Sequence, residues 1–334
     1  MSGADTEPAA TRRVTLLDTA VASTNLGDQI IMEAVHAGLR EALAGAFVTS
    51  VASHDRLGPK GRALIRKSDL AIAGGSNLIS SRMWFRSVWK LGLRDAFLGM
   101  NAVLMGIGWY QFQNKPDLYS RWLLRRVLHP TALHSVRDSH AQAMLASIGI
   151  TNVVNTGCPT LWDLANPARP PLPTGKAAEV VTTVNSYIKN PSADRRMLET
   201  LKARYGTVYG WIQTAEDGAY LRELADEIHI IEPSLAAYDE LLTSSRDLDY
   251  VGNRLHGGIR AMQKGRRAVI VEIDNRAQEM GRNFALPTVA RTEFERLDAM
   301  IAGPLEIAVK PPLEAITAWK AALARTINGP AAHD

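Results

Sequence analysis

The stretch GNRLHGG (252–258) sets an arginine and a histidine two residues apart between glycines, where an apolar run (Leu248, Tyr250, Val251) passes into a helical stretch, Ile259 to Lys264. A strand-to-helix turn leaves backbone N–H groups without partners, and the helix dipole favours negative charge there, so Arg254 and His256 suit an anion site. Asn253 is placed to cap the helix. Gly257 and Gly258 each cost helix stability, roughly 1 kcal/mol relative to alanine, and are expected where something approaches the backbone closely. Three other turns offer related chemistry. STNLGDQII (23–31) brings Asn25, Gly27 and Asp28 to a helix start; AGGSNLIS (73–80) brings Gly74, Gly75, Ser76 and Asn77 to the end of an apolar strand. SVRDSHAQAML (135–145) ends a strand on Arg137, suited to bidentate carboxylate or phosphate binding, with Asp138 or Ser139 as cap. DNRAQE (274–279) offers Asp274, Asn275 and Arg276 to the same region, with helix capping an equal account. Gly106-Ile107-Gly108 lacks the third glycine of a dinucleotide fingerprint. Cys158 reads as a small buried side chain, and no Cys/His spacing signals a metal.

The elements that must position these turns alternate along the chain. Strand-like runs occur at 13–19, 46–52, 70–74, 102–108, 132–136 and 152–156, then at 179–184, 207–212, 228–233, 248–252 and 267–273. Ile31, Val35, Leu39 and Leu43 recur every four residues, predicting an amphipathic helix over 28–44 that Gly45 ends. Short apolar runs alternating with helices predict parallel sheets covered on both faces. The proline-rich stretch 166–177 divides a first α/β domain (13–165) from a second (178–330), and a last helix, Leu313 to Ile327, is long enough to cross back. Ligands of such open sheets bind at the carboxyl ends of the strands, here in the cleft between two domains.

Composition narrows the class. The 334 residues exceed what one core usually supports. No run of about 18 apolar residues predicts a membrane span, and residues 1–12 lack the apolar core of a secretory signal, reading as a disordered tail. A single cysteine fits a reducing, cytoplasmic setting. A net charge of +4 is too slight for nucleic acid but suits an anionic small molecule. Arg82, Arg86, Lys90 and Arg94, four apart with Trp84, Phe85, Val88 and Trp89 nearby, read as the solvated face of a helix; a peripheral contact with anionic lipid at the inner membrane surface is the alternative.

The order of these turns resembles the polysaccharide pyruvyl transferase family. The resemblance is carried by Asn25, Gly27 and Asp28, by Gly74, Gly75 and Ser76, by the GIG at 106–108, by SVRDSHAQAMLASIGI, and by NRLHGGIRA with AVIVEID, from about residue 13 to 300. It implies two Rossmann-like domains facing a cleft in a glycosyltransferase-B-type architecture. It also implies transfer of the enolpyruvyl skeleton of phosphoenolpyruvate onto a sugar or lipid-linked oligosaccharide as a cyclic ketal, with no cofactor beyond the donor and no metal. By that resemblance Arg254 and His256 bind and activate phosphoenolpyruvate, His256 as the acid, Leu255 adds backbone contact, and Arg137 holds a second anionic group. Asp28 orients or deprotonates the acceptor. Many members carry Asp-Pro where this chain has Cys158-Pro159, and a lysine near Arg276, which points to a different acceptor or an altered reaction. A sugar-nucleotide-dependent glycosyltransferase is the competing enzyme reading, although no carboxylate lies between Tyr250 and Val271 to hold a ribose; a non-catalytic glycan- or anion-binding module is the third.

Overall fold

The computed structural model describes residues 11–85 and 87–329. The first ten residues of the expected tail and Arg86 lie outside the described residues. The chain opens with β1 (Arg13–Asp18), α1 (Leu26–Leu39), β2 (Phe47–Ala52), α2 (Pro59–Arg66), β3 (Leu70–Gly74), β4 (Ala102–Met105), α3 (Leu118–Val127), β5 (His134–Val136), α4 (Ser139–Ala146), β6 (Val153–Asn155) and α5 (Pro159–Trp162). β1 to β4 form a parallel sheet in the order β2-β1-β3-β4, and the parallel pair β5-β6 adjoins β4 through a bridge between Ile107 and Val136.

After the proline-rich stretch come β7 (Glu179–Thr182), α6 (Pro191–Arg204), β8 (Thr207–Gly210), α7 (Ala215–Leu224), β9 (His229–Ile230), α8 (Leu235–Thr243), β10 (Leu248–Gly252), α9 (Leu255–Gln263), β11 (Ala268–Glu272), α10 (Asn275–Phe284), β12 (Thr288–Ala290) and α11 (Phe294–Ala302). Their six strands are parallel in the order β12-β11-β10-β7-β8-β9. The order reverses between β7 and β10, the switch point at which helices pass to opposite faces and leave a crevice above the strand ends. The last helix, α12 (Leu313–Asn328), packs Trp319, Leu323 and Ile327 against Val14, Leu16 and Ile72 of the first sheet.

Alternation along each strand splits the cores. Val14 and Leu16 face α1 and α12, while Leu17 faces the opposite layer. Likewise Ala268 and Ile270 pack beneath α9, and Val269 and Val271 beneath α11. One core joins the domains: Ile30 of α1 and Leu161 of α5 are buried with Leu255 and Ile259 of α9. This apolar contact fixes how the two sets of strand ends face each other.

Several boundaries differ from expectation for local reasons. β4 stops at Met105 because Gly106 turns left-handed (φ 62) and gives its N–H to Ser135 Oγ at 2.8 Å. α1 ends at Leu39, and the residues before Gly45 (φ 81) form turns. α9 starts at Leu255, so Arg254 occupies the cap position rather than Asn253. The described residues 82–85 and 87–94 form turns, bends and irregular chain rather than helix, so Arg82, Lys90 and Arg94 share no helical face; Trp89 is buried while Trp84 and Phe85 are exposed.

The paired glycines of α9 make room for the protein's own side chains. A Cβ on Gly258 would lie 2.5 Å from Ile270 Cγ1 and 2.8 Å from Tyr250 Cε1, and one on Gly257 would press on Gln213 and the Tyr250 hydroxyl. Overpacking of this kind costs about 1–3 kcal/mol. Gly258→Val should therefore lower the melting temperature by several degrees in a thermal melt, whereas Gly175→Ala, with nothing within 4 Å, should leave it unchanged.

Candidate functional site

The carboxyl ends of β5 and β10, from different sheets, bring Arg137 and His256 into one electrostatic environment. Arg137 follows β5 and is wholly buried. Its backbone N–H donates to Ile107 O at 3.0 Å, and one terminal nitrogen donates to Asn77 Oδ1. Its Nε and Nη1 have no hydrogen-bond partner, and the Asp138 carboxylate is 3.5 Å away without hydrogen-bond geometry. Asp138 caps α4 through Oδ1, which accepts from Ala141 N at 2.7 Å, while its other oxygen, Oδ2, has no hydrogen-bond partner and is the atom that faces Arg137 Nε. Gly108 makes the burial feasible, since a Cβ there would collide with the Arg137 guanidinium and Asn77. A desolvated guanidinium with two free donors is costly without an acceptor, which makes this a strong anion-seeking group.

His256, in the first turn of α9, is buried, with Nε2 3.8 Å from Cys158 Sγ. Burial, and then the positive charges of Arg276 and Arg137, hold the imidazole well below its ordinary titration range, against a smaller opposing pull from Asp274. The histidine is therefore neutral at neutral pH in the unliganded protein, so the acid role expected of His256 needs a proton that it does not hold there. Cys158 is buried and its thiol is pushed up by desolvation, offset by Arg137 and Thr160. No side chain caps α9, so its first N–H groups remain available to an anion at the switch point.

Arg254 departs further from expectation. Its guanidinium pairs with Asp217 in a buried salt bridge, its Nε donates to Val184 O at 3.4 Å, and it stacks 4.7 Å over the Tyr187 ring. Its backbone is also held, because Arg254 N donates to Thr183 Oγ1 and Tyr250 OH donates to Arg254 O. Arg254 is thus a neutralised strut that fixes the α9 turn. Arg276, about a quarter exposed, is paired with Asp274, whose Oδ2 accepts from Nε at 2.9 Å and Nη2 at 2.6 Å. Burial would raise the Asp274 carboxyl, but Arg276 and its hydrogen bonds, with Arg137, hold it below its usual value.

A second cluster lies at the ends of β1, β2 and β3. Asp28 Oδ2 accepts from Ser23 Oγ at 2.6 Å and lies 3.9 Å from His54 Nδ1, whose Nε2 is 3.3 Å from Ser76 Oγ. Burial raises the Asp28 carboxyl, opposed by Ser23, His54, Arg276 and Arg254, while burial lowers His54. The influence of Arg276 and Arg254 on Asp28 links this cluster to the second domain.

Other expected site residues serve the scaffold. Asn25 caps α1 by accepting from Gly27 N, and a Cβ on Gly27 would press on Gln213, whose carbonyl takes Leu26 N at 3.0 Å. Gly74 and Gly75 abut Val35 and Ile31 of α1 rather than open space, and Leu255 belongs to the interdomain core. Asn275 bridges the domains, donating to Trp109 O at 3.3 Å, while its Oδ1 has no partner. Sequence reasoning missed His54, Asp217, Gln213 and Tyr187. His54 follows β2 directly, and Asp217 sits in the first turn of α7 after its cap Thr214, so strand ends and acidic first turns were the available signals.

Among solved structures, a Listeria monocytogenes protein described as a UDP-N-acetylglucosamine 2-epimerase matches with TM-score 0.50 at 11% identity, over 97% of this chain and 93% of that one. The S. aureus MnaA–UDP structure matches with TM-score 0.49 at 12% identity, over 90% and 93%. At such identity the likeness concerns the fold, two Rossmann-like domains in the glycosyltransferase-B arrangement. No curated protein matches the chain significantly. The model of the polysaccharide pyruvyl transferase family matches residues 25–275, spanning the Asn25–Asp28 turn, Arg137, the Arg254–His256 turn and Asn275; the chain belongs to that family.

Proposed function

We propose that this chain transfers the enolpyruvyl carbon skeleton of phosphoenolpyruvate to two hydroxyls of a sugar, free or lipid-linked, giving a cyclic pyruvate ketal and phosphate in cell-surface or exopolysaccharide synthesis. The reaction in this reading is cytoplasmic. The observation that carries it is the Arg137 guanidinium, buried with two unpartnered nitrogens and acting electrostatically on His256. Phosphoenolpyruvate carries a phosphate and a carboxylate, matching Arg137, Arg276 and the uncapped start of α9.

The chemistry then has named carriers. His256 delivers a proton to the methylene carbon, and the first acceptor hydroxyl adds to the adjacent carbon as its own proton leaves to Asp28. The carbon–oxygen bond to phosphate breaks, and the second hydroxyl closes the ring. Of the two hydroxyl protons, one ends in the new methyl group and the other on the released phosphate. Burial makes Asp28 a stronger base than an exposed carboxylate, and Ser23 and His54 hold its position. Arg254, tied to Asp217, keeps the α9 turn in place without touching the donor.

His256 is neutral in the free protein because cations surround it, so a bound polyanion reverses the local field and lets the imidazole take up a proton. The complex then holds one more proton than the free species between the depressed and restored pKa values. Affinity for phosphoenolpyruvate should therefore fall as pH rises through that window. Calorimetry in buffers of different ionisation enthalpy should register proton uptake, and the uptake should shrink in His256→Gln to what the ligand's own phosphate, with a second pKa of about 6, contributes. Proton uptake identical in the two proteins would remove His256 from the donor site.

Phosphoenolpyruvate should raise the melting temperature, and nucleotide-sugars should not; Arg137→Lys should abolish that rise, because an ammonium lacks the guanidinium's fork. Stabilisation by a nucleotide-sugar instead would favour the glycosyltransferase reading. In phosphate-release assays against candidate glycans and lipid-linked sugars, Asp28→Asn should reduce turnover on the order of 10²–10⁴-fold while leaving phosphoenolpyruvate affinity within a few-fold of wild type. A matching loss of donor affinity would make Asp28 a structural residue instead.

A further inference from the structure

We propose that the outer surface of the first domain around α3 docks on an anionic phospholipid bilayer. The exposed face of α3 is Leu118, Arg121, Trp122 and Arg125, spaced i, i+3, i+4 and i+7, while Leu123, Leu124 and Val127 face the core. Leu118 is 84% exposed, and Trp84 and Phe85 are each about two-thirds exposed (65% and 66%). Isolated exposed apolar side chains are ordinary, but these are contiguous. The Phe97 and Trp122 rings lie 5.9 Å apart, the Trp84 and Phe85 rings 5.6 Å apart, and Trp84 Nε1 donates to Asp117 Oδ2 at 2.7 Å, immediately before Leu118. A continuous aromatic surface of this kind marks an interaction site.

Charge decides the occupant. Arg82, Lys90, Arg94, Lys115, Arg121 and Arg126 are all exposed around the aromatics. The two carboxylates between residues 82 and 126 are both engaged: Asp95 is buried and accepts from Arg62 Nε at 2.7 Å, and Asp117 caps α3 while holding Trp84. The described residues of this segment thus present exposed cations and no free carboxylate. Exposed tryptophan, phenylalanine and leucine among cations suit the boundary between headgroups and acyl chains of an anionic membrane. A nucleic acid would use the cations but leave Leu118 and Phe85 without a role.

The surface also has a direction. α3 begins on the side of the sheet where the strands end, and Lys90 N donates to Ser53 O at 3.3 Å, next to His54 of the Asp28 cluster. A bilayer beneath this surface would lie beside the mouth of the cleft, within reach of a lipid-borne acceptor. The docking proposal does not depend on pyruvyl transfer.

Sedimentation of the full chain with vesicles tests it without donor or turnover. Binding is expected to phosphatidylcholine vesicles that contain phosphatidylglycerol, to weaken with salt, and to shift tryptophan emission to the blue; vesicles of phosphatidylcholine alone should bind far less. Arg94→Gln and Arg121→Gln should each weaken binding on the order of fivefold, and Phe85→Ser with Leu118→Ser should abolish the emission shift with unchanged circular dichroism. Absence of binding to the anionic vesicles, or equal binding by the variants, overturns the proposal. So does self-association without lipid that the Phe85→Ser/Leu118→Ser variant abolishes, since a second copy of the chain would then cover the surface.

Discussion

The site depends on buried positive charge that the protein only partly neutralises. Three guanidinium groups, Arg137, Arg254 and Arg276, lie at or near the carboxyl ends of the strands, and their partners are unequal. Arg254 has Asp217 in direct contact, and Arg276 has Asp274 in a two-nitrogen hydrogen bond. Arg137 has the amide oxygen of Asn77 and, at 3.5 Å and without a hydrogen bond, the second oxygen of the carboxylate that caps α4. Desolvating a charge costs several kcal/mol unless contacts repay it. The fold therefore carries a cost at Arg137, whose Nε and Nη1 are buried without hydrogen bonds and whose nearest carboxylate oxygen is 3.5 Å away.

That charge is held by a seam of two materials. Ile30, Leu161, Leu255 and Ile259 make an apolar contact between α1, α5 and α9. On the other side of the site the contact is polar: Ser139 N meets Asn283 Oδ1 at 3.1 Å, Ser139 Oγ meets Glu279 Oε2 at 3.2 Å, and Asn275 reaches Trp109 O. Hydrogen bonds exchange with water at little net cost, whereas separating packed aliphatic side chains does not. The polar side therefore resists separation less than the apolar contact does.

Much of the fold was legible because period and punctuation agree with the topology. Every strand-like run contains a strand, although β4 and β9 are shorter than their apolar stretches. The exception is β12: Thr288–Ala290 is a three-residue edge strand with too few positions to display alternation. Which turns the fold brings together was legible in the sequence, but which carboxylates pair with their cations was not. Arg137, His256 and Arg276 share one electrostatic neighbourhood, as their turns suggested. Arg254 could not be separated from them in sequence, because its partner Asp217 is 37 residues away in an ordinary capped helix. The glycines are less specific signals for a physical reason. A missing Cβ marks close approach but not the identity of what approaches, and here it is Tyr250, Ile270, Val35 and Ile31.

The division of the cations between the lobes bears on how a donor is held. Arg137 belongs to the first domain and Arg276 to the second, both acting on the neutral His256, so two like charges lie on either side of the seam. Under the function proposed above, an anion between them would be attracted from both sides and would draw the two lobes together. Asp28 also lies at this seam, on the first domain, influenced by Arg254 and Arg276 from the second. Closure on a polyanion would spend the positive field of Arg276 on the ligand, which strengthens Asp28 as a base at the same moment as it lets His256 hold a proton. One event would thus act on both ends of a proton-transfer sequence, adding at Asp28 to the rise that burial already gives its carboxyl.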